Sequence, residues 1–82
     1  MDISQIKERG KAADRICSDP VYQAAWDEIQ RDLYRSWVES PLDDVAGRER
    51  LRLELDVLVR LKGKFTKFMN EAAFSAAVED MT

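Results

Sequence analysis

Leu51, Leu55, Leu58, Lys62, Phe65, Met69 and Ala72 are separated alternately by four and three residues. That rhythm returns each side chain to one face of an α-helix, and it is sustained over three repeats. It predicts a heptad seam on one long helix, about 44–73, lying along another helix. A second apolar row, Leu53, Val57, Leu61 and Phe68, flanks the seam. One row can face a neighbouring helix of the same chain; the other needs a further helix or a second copy. Arg48, Arg52, Asp56, Arg60 and Lys64 follow at intervals of four, which predicts a charge ladder on a different face.

The breaks around this helix are local and chemical. Ser40-Pro41-Leu42-Asp43-Asp44 precedes it. The residue before a proline resists helical geometry, and either Asp43 or Asp44 suits the N-cap. Upstream, Tyr22, Trp26, Ile29, Leu33 and Trp37 form the stripe of a helix at about 20–39, with Asp19 as N-cap and Pro20 at the first helical position. A link of about four residues makes these two helices antiparallel neighbours. Asp2 with Gln5 three residues on has the form of a capping box. It opens a first helix at about 3–17, striped by Ile3, Ile6, Gly10, Ala13 and Cys17. Gly10 costs that helix about 1 kcal/mol relative to alanine and also admits close approach of another helix. The stretch FSAAVEDMT at 74–82 suits either a frayed extension or a disordered tail. The expected fold is all-α: an antiparallel helical hairpin (20–39 and 44–73) with an additional N-terminal helix, in one domain spanning 1–82.

Length limits what this fold can bury. A chain of 82 residues hides only about 60–65% of its unfolded surface, so its own core is thin. A lone cysteine, Cys17, rules out an internal disulfide, and the chain has no histidine. A reduced, intracellular setting is expected. Met1-Asp2-Ile3 lacks the pattern of an export signal, and no apolar run nears the roughly 20 residues of a membrane span. Sixteen acids against thirteen bases leave a net charge of −3, too mild for either a nucleic-acid coat or a DNA mimic.

Catalytic chemistry finds no foothold. Asp43-Asp44 reads as a doubled cap, and Glu54 and Asp56 point to different sides of their helix. Ser36 and Ser40 have no histidine to activate them. Cys17 lies near a helix C-terminus, which disfavours a thiolate and fits structural burial. The three glycines are isolated, so no phosphate loop is present. No enzyme activity, catalytic residue, metal or cofactor is expected.

The stretch RLKGKFTKF, residues 60–68, holds four cations and two aromatics without an acid. On a helical wheel Arg60, Lys64 and Lys67 fall within about 60° of one another, with Phe65 and Phe68 on the adjoining side. The plain reading is a solvated basic edge that complements a helix C-terminus. The sharper one is contact with an acidic partner or with phosphate through Arg60, Lys64 and Lys67. Lys62 sits in the seam itself. Three arrangements suit it: snorkelling to water, pairing with Glu28 or Asp32 across the helices, or setting register between chains. Trp26 and Trp37 lie three turns apart on nearly one face, and either an internal core or an interface suits them.

The run Asp19-Pro20, Trp26, Trp37, Ser40-Pro41 and Gly47-Arg48-Glu49-Arg50-Leu51 resembles small helical proteins encoded among the virion-assembly and packaging genes of tailed bacteriophages and prophages. The likeness covers roughly residues 19–70. It implies a role in head assembly, DNA packaging or a neighbouring step, a viral or host protein partner, and a place in the host cytoplasm or the virion. It carries no catalytic residues. Surplus apolar surface on so short a chain adds an expectation of self-association, with a dimer favoured. Trp26, Trp37, Leu53, Val57, Leu61 and Phe68 are the candidate interface. The rival expectation is a small inhibitor of one host protein, of the anti-defence type. A nucleic-acid-binding module ranks below both.

Overall fold

An aspartate opens every helix. The computed structural model describes residues 1–81 and is all-α. Among those residues it has three helices and no strand: α1 (Ile3–Ser18), α2 (Pro20–Glu39) and α3 (Val45–Asp80). Asp2 accepts from the Gln5 backbone N–H at 2.8 Å, and the Gln5 side chain accepts from the Asp2 N–H at 3.0 Å. This reciprocal box satisfies two donors that the first turn of α1 would leave orphaned. Asp19 serves two helices. Its N–H closes α1 on the Ile16 carbonyl at 3.1 Å, and its carboxylate accepts from Val21 and Tyr22 N–H at 2.8 and 3.3 Å. Of the doublet Asp43-Asp44, Asp44 is the cap, accepting from Gly47 N–H at 3.0 Å.

α3 continues seven residues past the 73 where its seam fades, to Asp80. No glycine or proline interrupts 74–80, and Glu79 is tied to Lys7 of α1 by an ion pair. Thr82, the last residue of the stretch expected to fray, lies outside the described residues.

The 36 residues of α3 rise about 54 Å at 1.5 Å each, which accounts for most of the long dimension of a molecule 59 × 24 × 18 Å in extent. The other two helices lie along it in succession. Arg9 meets Glu71, Tyr22 meets Phe65, Lys62 reaches Trp26 and Arg48 reaches Trp37. Numbers rise along α1 and α2 as they fall along α3, so both run against its direction.

The two contacts differ in depth. The backbones of α1 and α3 come closest, because the residues between them are small. A Cβ placed on Gly10 would abut that of Ala72 and lie 2.9 Å from the Phe68 carbonyl oxygen. Gly10 and Ala13 are the fully buried residues of the described chain, and no residue of α2 or α3 is fully buried. Between α2 and α3 stand Trp26, Leu33 and Trp37, and side-chain size sets interaxial distance. The sequence put the principal pairing between α2 and α3; the tighter one is between α1 and α3.

Candidate protein interface

The second apolar row of α3 splits into two environments. Leu53, Val57, Leu61 and Phe68 fall within about 80° on the helix surface. Phe68 lies under α1, with the Arg9 guanidinium 4.0 Å above its ring centroid, and Ala72, one turn on, seats Gly10. Toward the N-terminus of α3 no helix among the described residues plays that part. Leu53, Val57 and Leu61 are 50%, 62% and 49% exposed. Ile29 on the adjoining flank of α2 is also exposed.

The tryptophans are only partly covered. Trp26 is half-buried, edge-on to Tyr22 at 6.2 Å between centroids. The Lys62 ammonium lies 5.9 Å from the Trp26 centroid. Lys62 thus leaves the seam across an aromatic face and reaches exposure, a cation–π placement that the sequence reading did not contain. Trp37 is 41% exposed. Arg48 stacks 4.5 Å from its centroid, held by a hydrogen bond from Nε to Ser40 Oγ at 2.9 Å. Ser40 Oγ in turn donates to the Trp37 carbonyl at 2.6 Å. On the opposite side of the α2–α3 layer, Leu33, Tyr34, Trp37, Leu51 and Leu55 line an open apolar groove.

The charge ladder resolves differently from its i,i+4 spacing. Arg48 turns to Trp37, and Arg52 pairs backward with Glu49, its Nη2 donating at 2.7 Å. That hydrogen bond holds the Glu49 carboxyl below, and the Arg52 guanidinium above, their ordinary values. Arg60, Lys64 and Lys67 gather around Gly63 on one open surface, and Lys67 lies 3.9 Å from Glu71. Phe65 turns away from these cations to meet Tyr22 at 5.7 Å, and Phe68 turns toward α1. The cations and aromatics of the 60–68 stretch therefore occupy different faces.

Cys17 is half-buried. Among the described residues, no group of three or more metal-capable side chains comes together. No helix among them is long and apolar enough to cross a membrane. Comparison with protein-family models, with curated proteins and with solved structures returns no match for this chain.

Proposed function

We propose that this chain is a non-enzymatic accessory protein of tailed-phage virion assembly or DNA packaging, working in the host cytoplasm through helix–helix contacts. Its working part is the α2–α3 hairpin, whose apolar faces are left for a protein partner. One observation carries the docking role. The chain exposes 6468 Å², whereas a compact monomer of 9.5 kDa exposes about 5,000 Å². Ile29, Tyr34, Trp37, Leu53, Val57 and Leu61 are among the exposed large apolar side chains of α2 and α3, residue types found in interface cores. The assembly setting rests on the resemblance of residues 19–70 to phage morphogenesis proteins.

The groove of Tyr34, Trp37 and Leu55 favours a second reading, an inhibitor of one host protein. Tyrosine and tryptophan at a pocket edge are the residue types that dominate binding energy in such contacts. Deleting the coding sequence from a phage that carries it separates the two. Aberrant or unfilled heads in the electron microscope are expected. Normal particles combined with a narrowed host range would overturn the assembly role in favour of inhibition.

A further inference from the structure

We propose that the bare backbone at Gly63, flanked by Arg60, Lys64 and Lys67, is a contact for the phosphate backbone of duplex nucleic acid, made without reading its sequence. The site is separate from the apolar faces of the hairpin, and the inference goes beyond their docking role.

Gly63 is the residue the fold does not account for. It stands in the middle of α3 at ordinary φ, with no atom within 4 Å of an added Cβ. Neither backbone conformation nor a neighbouring helix asks for it, and it costs α3 about 1 kcal/mol relative to alanine. A glycine also lets a ligand come close to the backbone. Here the open surface around it is lined by Arg60, Lys64 and Lys67. The end of the helix does not explain these cations. α3 runs on to Asp80, which leaves Lys67 roughly three and a half turns short of the C-terminus, and the helix dipole acts on charges within the last turn. Nor are they spent on ion pairs. Residues 57–70 contain no acid. Among the described residues Arg60 and Lys64 make no ion pair. Lys67 stands 3.9 Å from Glu71, whose carboxylate is drawn to Arg9 at 2.7 Å.

Spacing and shape favour phosphate over carboxylate. Three successive phosphates of one strand span about 7 Å along a duplex. Arg60 and Lys67 lie about 10 Å apart along α3. A phosphate resting on Gly63 beside Lys64 thus leaves its two neighbours within reach of the long side chains of the outer cations. Phosphates are built into their chain and need the protein surface to come to them, which the missing side chain permits. Acidic side chains stand off on stems and meet a lysine without any such gap. The lining also lacks the apolar and aromatic side chains around which protein contacts are built, whereas contact with a phosphate backbone needs only cations and polar groups.

Binding to a fluorescent DNA duplex of arbitrary sequence, followed by anisotropy, tests the site. With three phosphates neutralised, raising salt from about 50 to about 200 mM is expected to weaken binding about 40-fold, a log–log slope of about −2.7. Lys64→Gln, at an exposed position, is expected to flatten that slope by about 0.9. Gly63→Leu keeps every charge and refills the gap; it is expected to retain its helical circular dichroism and to lose affinity for the duplex. Absence of binding at about 50 mM salt with about 100 μM protein overturns the proposal. Duplex binding that Gly63→Leu leaves intact overturns the seat at Gly63, and so does a slope that Lys64→Gln does not change. Polyglutamate that competes as well as unlabelled duplex at equal charge would assign the surface to an acidic protein instead.

Discussion

Replacing Gly10 with alanine sets two opposing effects against each other, and the structure says which wins. In an open helix interior the change gains about 1 kcal/mol, since glycine gives up more backbone freedom on folding. At Gly10 the added methyl would abut Ala72 Cβ and lie 2.9 Å from the Phe68 carbonyl oxygen. A backbone oxygen inside α3 cannot swing aside, so α1 must back away from its seat. Overfilling a packed contact costs about 1–3 kcal/mol. Retreat of α1 also loosens the Arg9–Glu71 pair, 2.7 Å in the native chain, and the Lys7–Glu79 pair. The net loss expected is about 1–2 kcal/mol, which lowers the melting temperature by about 5–15 °C in a domain of this size. Gly63 provides the internal control. It lies in the middle of α3 at ordinary φ, with no atom within 4 Å of an added Cβ. Gly63→Ala should raise stability by about 0.5–1 kcal/mol. The measurement is thermal unfolding followed at 222 nm by circular dichroism, at one fixed protein concentration because self-association shifts the midpoint. Two alanines of opposite sign are expected. If Gly10→Ala stabilises as much as Gly63→Ala does, α1 is not seated on α3 in the manner described.

Three further outcomes follow from single contacts. The Tyr22 hydroxyl is buried without a hydrogen-bond partner among the described residues, so Tyr22→Phe, which keeps the ring contacts to Trp26 and Phe65, should leave stability unchanged or raise it by up to about 1 kcal/mol; a loss of that size would contradict the placement of the hydroxyl. Asp19→Ala removes the cap of α2 and should cost about 1 kcal/mol in urea unfolding, with Asp19→Asn recovering most of it. Glu49 has its carboxyl held below the ordinary value by Arg52, so the pair's contribution is present above that ordinary value and is lost as pH falls through the depressed one. An NMR titration of Glu49 should move upward in Arg52→Ala, and an unmoved midpoint would show that the pair does not form in solution.

The boundaries of the helices were legible because their causes are local. A cap, its acceptor and a proline lie within four residues of one another, as at Asp2–Gln5 and Asp19–Pro20. Gly10 was legible as a point of close approach, but its partner was not, since Ala72 carries no mark distinguishing it from other small residues of α3. The composition of 74–80, free of glycine and proline, admitted an extension of α3 without deciding it against a disordered tail; the ion pair that ties Glu79 to Lys7 spans nearly the whole chain. The apolar rows were visible as rows, whereas the division of one of them at Phe68 depends on how far α1 reaches. Arg48 over Trp37 and Lys62 over Trp26 depend on the register between α2 and α3. Spacing within a single helix assigned Arg48 to a ladder instead, and left Lys62 between water, a carboxylate and another chain.

The succession of α1 and α2 along α3 has a consequence for biosynthesis. The ribosome makes α1 before α2 and α3, but its resting place on Phe68, Ala72 and Glu79 lies in the second half of α3. Until then α1 is too short to hold itself firmly helical in water, and its greasy edge has nothing of its own to lean on. By contrast, α2 can engage the start of α3 as soon as the Ser40–Asp44 turn is made. The N-terminal segment is therefore the one a nascent-chain chaperone would meet unclothed, and the last to find its berth.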